Sequence, residues 1–447
     1  MTVARTVEAA PPARYEPPLN AALGRLAAVL LLGACALVPF TTFRLHPDYL
    51  FTVSDALFTA AAILLLGGQR LNLRPFGGLT ILWIAGIVAM LLGFLVGSLV
   101  HGDPLRWLIV AAQYSFAFVL LPTLLVRGNR ESSIRLARAL LFGVVAMEAF
   151  GVFVYYVIHP SYALSQRISP EFITGGHRLG AFMADANWNA AMVATTMPFV
   201  FYLSRTGRLG AIGTYGSIAI LGWGLMLSGS FTGFTSMAIA TLIFLLVSGG
   251  TRAIRTAIGL IALGTGLTLS GVTPPSVFES RVQEALEEGD LSRAGTFTGR
   301  MELIKEAWGI VNDTTFVGLG VDQYRVVSKD KAPVHNMFLL VWAEGGLIAL
   351  LGWLGVLAVP VMVSASAFRR ERVAAALGFS VLAPFVAFSI AAPHMYSRSW
   401  VVPLIIAMAV ILARRSRIPT RFDDPEGVRV TTKAPPPSRP KSRILAA

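Results

Sequence analysis

The chain has 447 residues and a single cysteine, Cys35, so neither an intrachain disulfide nor a cysteine-rich metal site is available to it. Charge is equally scarce. Asp, Glu, Lys and Arg make up 14% of the sequence, where soluble domains carry about 25%, too few to cover a water-facing surface of this size. A soluble multidomain protein is excluded. There is no Walker A loop, no Rossmann fingerprint and no Gly-x-Ser-x-Gly, so ATP-driven pumping and serine-hydrolase chemistry have no motif to rest on. No Asp-x-Asp pair occurs, and Glu288-Gly289-Asp290 is the nearest approach to a hard-cation motif. No internal repeat is visible. The net charge of +13 does not indicate nucleic acid, because the basic residues sit between apolar runs rather than on one polar domain.

What the chain has is apolar length. It is 55% hydrophobic, with a mean hydropathy of +0.67, and stretches of about 20 apolar residues, the length that crosses a bilayer as a helix, recur along it. Twelve spans are expected, at about 22–40, 53–68, 79–100, 106–126, 135–158, 187–204, 210–228, 231–249, 253–272, 335–360, 373–391 and 399–413. The fold class is an all-α polytopic membrane protein. Alternate short loops are rich in arginine, from Arg70 and Arg74 through Arg127, Arg130, Arg135 and Arg138 to Arg414, Arg415 and Arg417. Since Arg and Lys near helix ends stay on the cytoplasmic side, both termini are expected there. Residues 1–20 and 415–447 read as Pro-rich disordered tails, the latter basic and suited to anionic membrane lipid, and 21–414 as the transmembrane domain. Leu32-Gly33-Ala34-Cys35 looks like a lipoprotein processing site, but the long, nearly neutral segment before it favours an ordinary first span.

Two segments on the expected outer face exceed a simple connection, 159–186 and the far longer 273–334 between spans nine and ten. In the second, Met301, Ile304, Trp308 and Val311 recur at helical spacing with charged residues between them, and Thr298 is a plausible N-cap. Phe278, Val282 and Leu286 suggest a further amphipathic helix. His335 follows this loop and opens the tenth span next to Asn336, where a helix N-terminus disfavours a cationic imidazole and keeps the ring ready to accept a proton. Glu344, nine residues on, lies about 13 Å along the same helix at 1.5 Å per residue, and on its opposite side. Glu344 is therefore expected to tie this helix to a neighbour, with Gly345 and Gly346 allowing close backbone approach. Glu148 is a second acid within a span. Arg178, after His177 and just before the sixth span, and Arg300, at the start of the loop helix, are placed to neutralise a phosphate-bearing lipid at the membrane surface. Arg398, at the start of the last span, is a further candidate.

Several of these stretches together resemble the bacterial O-antigen ligase and O-antigen or exopolysaccharide polymerase superfamily. They are Thr298-Gly299-Arg300-Met301-Glu302, Phe316-x-Gly318-x-Gly320, His335-Asn336-x-Phe338-Leu339 and Ala343-Glu344-Gly345-Gly346-Leu347-Ile348, with Arg178-Leu179-Gly180-Ala181-Phe182 and Asp185-Ala186-Asn187 upstream. Two positions depart from the family pattern: Phe231 follows Ser230 where an arginine is common, so one basic contact is missing, and Ala186 replaces a proline.

The resemblance implies a GT-C-like bundle in the bacterial inner membrane with its active site on the periplasmic face. The implied reaction moves a glycan en bloc from undecaprenyl pyrophosphate to a sugar hydroxyl on a growing glycan or on lipid A-core, by inverting, metal-independent transfer without a cofactor. Arg178 and Arg300 would stabilise the pyrophosphate leaving group. His335 would orient or deprotonate the acceptor. Asn336, His177 and Arg398 would contact substrate, and other polysaccharide assembly proteins are possible partners. The alternative reading is a twelve-span transporter or lipid-linked glycan flippase that uses Glu148 and Glu344 as midplane groups, and a non-catalytic assembly scaffold is a third.

Overall fold

The computed structural model describes residues 18–45, 51–68, 71–251, 254–255, 258–259, 273–283, 297–393 and 397–413. The two tails, Glu288-Gly289-Asp290, Leu286, the Thr298 side chain and most of the expected ninth span lie outside the described residues.

Among the described residues, eight helices are long and apolar enough to cross a membrane: α1 (Pro18–Leu37), α3 (Leu79–Val100), α4 (Pro104–Leu125), α5 (Arg130–Ile158), α8 (Ala211–Ser228), α9 (Phe231–Ser248), α13 (Met337–Ala367) and α14 (Arg372–Ala391). Two shorter apolar helices, α2 (Val53–Gly67) and α15 (Arg398–Leu412), stand among them. So does α7 (Ala186–Arg205), which carries Asn189, Thr195 and Thr196 and is buried over almost its whole length. It is walled by α5, α8, α9, α14 and α15. A helix enclosed by protein tolerates side chains that lipid would not, provided their polar groups are satisfied. The Thr195 hydroxyl donates to the Ala191 carbonyl at 2.8 Å.

Side-chain caps set many of the helix starts, because the first N–H groups of a helix have no partner within it. Thr52 and Asp55 form a reciprocal capping box at α2, Asp103 precedes Pro104 at α4, and Asn129, Asp185, Ser230 and Asn336 cap α5, α7, α9 and α13. Pro122 in α4 has no N–H to give the Phe118 carbonyl one turn back. The helix widens into a π-turn over Phe116–Leu120, and the indole N–H of Trp83 takes the freed carbonyl at 2.6 Å.

The bundle has two dissimilar ends. At one, Arg130 pairs with Glu371 and donates to the Tyr202 hydroxyl at 3.2 Å, which joins α5, α7 and α14. The long loops gather at the other end, where they complete the packing. A short helix α6 (Tyr162–Ile168) leads into a hairpin, β1 (Ile173–Thr174) and β2 (Arg178–Leu179). The later loop holds α10 (Ser276–Phe278, continuing as a π-turn over Glu279–Gln283), α11 (Phe297–Asp313) and α12 (Tyr324–Val327).

The face that α11 buries differs from the sequence expectation. Leu303, Ala307 and Val311 are buried against Leu339, Leu340 and Ala343, while Met301 and Trp308 are exposed. Trp308 rests edge-on against Trp342, ring centroids 5.8 Å apart. A helix that serves both a protein neighbour and an open side has two apolar stripes, and spacing alone does not say which is covered. Glu306, expected among the polar positions, turns toward the loop and accepts from the Ser328 hydroxyl at 2.9 Å and the Lys329 N–H at 3.0 Å.

The tenth span also departs from a plain helix. Gly346 has φ 68 and ψ −172, which breaks α13 two residues beyond Glu344. The segment between α11 and α12 lies in the break and hydrogen-bonds to it through its backbone. Leu347 donates to the Thr315 carbonyl, Leu319 to that of Ala343 and Gly320 to that of Glu344, all within 2.8–2.9 Å. The Phe316-x-Gly318-x-Gly320 and Glu344-Gly345-Gly346 stretches are thus two halves of one joint, in which backbone packs on backbone. A Cβ on Gly318 would lie 2.2 Å from the Glu344 carbonyl carbon. On its other side the joint meets α3, where a Cβ on Gly93 would lie 2.5 Å from the Gly345 carbonyl oxygen.

Candidate functional site

The hairpin turn Gly175-Gly176-His177 takes positive φ at Gly176 and His177, 73° and 59°, and returns the chain so that Arg178 faces the bundle. Its base is held by the Phe172 carbonyl, which accepts from Gly180 and Ala181. Beneath it Phe182 packs against Phe40, Phe43, Phe150 and Phe172. Arg178 donates from Nε to the Ser228 carbonyl at 2.7 Å and from Nη2 to Asn187 Oδ1 at 2.8 Å. The Ser230 hydroxyl donates to the same Asn187 oxygen at 3.0 Å. One guanidinium is thereby fixed between the end of α8 and the starts of α7 and α9.

Two more arginines come from the long loop. Arg281 on α10 reaches the Gly229 carbonyl with Nε at 3.4 Å, and a Cβ on Gly229 would crowd Val277 at 2.9 Å and the Arg281 side chain at 3.5 Å. Arg300 lies in the first turn of α11, and its Nε is buried with no hydrogen-bond partner among the described residues. Burial and the charges of Arg281 and Arg300 bring the Arg178 pKa down to about 10, against the pull of Asp185. Arg300 is lowered too, by burial and by Arg281. Asp185 caps α7 through the N–H groups of Asn187 and Trp188, at 2.7 and 3.0 Å, and is the acid that faces the cluster.

His335 belongs to the same group. It is half-buried, and burial and then the nearby Arg300 lower its pKa, with Asp185 opposing. Burial and Arg300 therefore both favour the neutral ring, and the α13 N-terminus acts in the same direction. Asn336 directs Oδ1 to the N–H groups of Phe338 and Leu339, at 3.0 and 3.1 Å, so its acceptor is engaged in capping α13 and holding His335 in place.

The structure brings Arg178, Arg300 and His335 together and sets the other sequence candidates apart. His177 is exposed at the hairpin turn, its ring 4.9 Å from that of Tyr155, whose hydroxyl donates to the His177 carbonyl. Arg398 grips Asp55 through Nε at 2.8 Å and Nη2 at 2.5 Å, beside a separate cavity. Glu344 is buried and accepts the Tyr324 N–H at 3.3 Å, Gly345 packs under Phe94 and Ala349, and Gly346 makes the break. Glu148 is buried against Gly224 on α8. Arg281, Asn187 and Ser230 were not selected from the sequence as site residues. The one available signal for Arg281 was the missing basic residue at Phe231.

The fold and this cluster define a multi-pass helical membrane protein with a cationic site at its loop-bearing end. Residues 216–354 match the family model described as O-antigen ligase, a stretch that includes Arg281, Arg300, His335 and the Glu344-Gly345-Gly346 joint. No curated protein matches the chain. Over this stretch the chain is similar to the O-antigen ligase family.

Proposed function

We propose that this protein transfers a glycan en bloc from undecaprenyl pyrophosphate to a sugar hydroxyl at the periplasmic face of the inner membrane. The observation that carries the reading is the convergence of three arginines and a histidine around one acid. A pyrophosphate joined to a lipid and a sugar carries one negative charge on each phosphate. Three guanidinium groups and Asp185 leave a matching excess of positive charge. Arg300 keeps a buried donor with no acceptor among the described residues, which suits an incoming phosphate oxygen.

In the proposed step the neutral His335 ring takes the proton of the acceptor hydroxyl as its oxygen forms a bond to the anomeric carbon of the donor. The bond from that carbon to the pyrophosphate oxygen breaks on the opposite face, and its electron pair leaves on the pyrophosphate. Arg178, Arg281 and Arg300 stabilise the charge that develops there. Asp185 stabilises the imidazolium that His335 becomes. The guanidinium groups supply the charge, so the step needs no divalent cation, and the pyrophosphate bond supplies the driving force, so it needs no ATP. The arginine-rich alternate loops support cytoplasmic termini and a periplasmic site.

Alanine at Arg178, Arg300 or His335 tests the assignment. Each stably expressed variant is expected to lose surface polysaccharide or its normal chain length. Wild-type polysaccharide in all three would refute the site. A deletion strain separates the two activities: loss of a polymerase leaves single repeats on the acceptor, and loss of a ligase strands long chains on the lipid carrier.

A further inference from the structure

A cavity of about 220 Å³ with charged side chains in its wall opens at the same end of the bundle. Four arginines line it, Arg44, Arg106, Arg325 and Arg398, with two aspartates, Asp55 and Asp322. Asp55 is taken by Arg398. Asp322 is shared by Arg106 and by Arg325, the latter at 3.6 Å. A guanidinium has five N–H donors and a carboxylate about four lone-pair sites, so the wall holds more donors than its own acids accept, and an excess of positive charge.

The hydroxyls of the wall have the opposite character. Thr41 gives its O–H to the Phe182 carbonyl, Ser54 to that of Ala34 and Thr52 to Asp55. Each keeps only lone pairs for a ligand, and lone pairs receive O–H donors. Trp188 forms an apolar patch in the wall, fixed edge-on against Trp400 at 6.2 Å. Trp188 lies in the first turn of α7 and Ala184 just before its cap, and Asp185 and Asn187 between them serve the arginine–histidine cluster. The cavity and the cluster are thus neighbours along one helix start.

We propose that this cavity is the acceptor subsite and that it holds an acidic sugar: its anionic group on the arginines, its hydroxyls donating to Thr41, Thr52 and Ser54, and its ring against Trp188. The volume is below the roughly 300–1,000 Å³ typical of pockets for drug-sized ligands, which limits the enclosed part to about one sugar residue. The assignment rests on the transfer reading, in which a second substrate must approach His335. It also gives Arg398 a role apart from the pyrophosphate site.

The test is calorimetric titration of the full-length protein in phosphatidylcholine nanodiscs with galacturonic acid, galactose and inorganic pyrophosphate as probes. Wild-type protein is expected to bind galacturonate more tightly than galactose. The Arg106→Gln/Arg325→Gln double variant is expected to bind galacturonate about tenfold more weakly or worse, while Arg178→Gln leaves this affinity unchanged. Arg44→Gln, at an exposed side chain, provides a second variant that disturbs no buried pair and is expected to weaken binding in the same direction. Three results would overturn the proposal: no preference for galacturonate over galactose, equal affinity in wild type and both cavity variants, or loss of binding in Arg178→Gln instead. Abolition of galacturonate binding by phosphatidylglycerol nanodiscs would overturn it too, since the occupant would then be a lipid phosphate. Pyrophosphate reports separately on the transfer reading, which requires Arg178→Gln to weaken it and the cavity variants to leave it intact.

Discussion

Adding one methyl group at Gly318 separates the loop joint from the rest of the bundle. The new Cβ would stand 2.2 Å from the Glu344 carbonyl carbon, 2.3 Å from its oxygen and 2.4 Å from the Gly345 nitrogen. All three are backbone atoms, so no side-chain rotation relieves the contact. The 315–320 segment must lift away from α13 and give up the Leu319 to Ala343 and Gly320 to Glu344 hydrogen bonds. Overpacking costs about 1–3 kcal/mol and each lost backbone bond about 0.5–1.5 kcal/mol, so the docked segment is destabilised by about 2–6 kcal/mol. Even the lower figure shifts docking by about 30-fold. Because the segment that follows leads to His335, Gly318→Ala is expected to cut glycan transfer at least tenfold and to open 315–336 to limited proteolysis, with expression and helical content close to wild type. Gly309→Ala is the control, since a Cβ there meets nothing within 4 Å and alanine is the better helix former by about 1 kcal/mol. If Gly318→Ala matches Gly309→Ala in protease resistance and turnover, the joint does not position the histidine.

Other perturbations probe other parts of the account. Burial and Arg300 hold the His335 pKa below its ordinary value, so kcat/KM for transfer is expected to fall on acidification, as the ring gains its proton. Arg300→Gln removes a cation that lowers this pKa and is expected to raise the midpoint, and a downward move or the lack of an acid limb would contradict the assignment. The Arg398–Asp55 pair has side chains only 14% and 2% exposed, so Arg398→Ala, which strands the acid, is expected to cost about 3–5 kcal/mol in thermal unfolding in detergent. Asp55→Asn/Arg398→Gln is expected to recover much of it. Glu148→Gln is expected to keep transfer at the wild-type level, whereas ion-coupled substrate uptake in vesicles that this variant abolishes would establish the transporter reading.

The helices were legible because each apolar run ends in its own punctuation. The expected 79–100 and 231–249 are the observed Leu79–Val100 and Phe231–Ser248, and Asp185 and Asn336 cap where a reader of Asp-x-Asn and His-Asn would place a helix start. At the site, Arg178, Arg300 and His335 were legible through motif resemblance. Their meeting was not, since the hairpin that turns Arg178 inward is two residues per strand and carries no period to read. Arg281 was hidden because it lies some fifty residues from the Phe231 position whose lost charge it offsets. The break at Gly346 was hidden as well. A Gly-Gly pair within an apolar run reads as close packing, and only the segment that lies in the break shows why the second glycine takes a left-handed φ.

The central claim is that one arginine–histidine cluster moves a glycan between two carriers, and reconstituted transfer tests it most directly. Purified protein in proteoliposomes would be given an undecaprenyl-pyrophosphate-linked glycan and an acceptor sugar, with free undecaprenyl pyrophosphate and glycosylated acceptor both quantified. The account predicts equal amounts of the two products, and a loss of about 10²–10³ in kcat for Arg281→Gln or Arg300→Gln, the size expected when one preorganised donor to a developing anion is removed. Wild-type turnover in both variants, or movement of the lipid-linked glycan across the bilayer without release of undecaprenyl pyrophosphate, would contradict it.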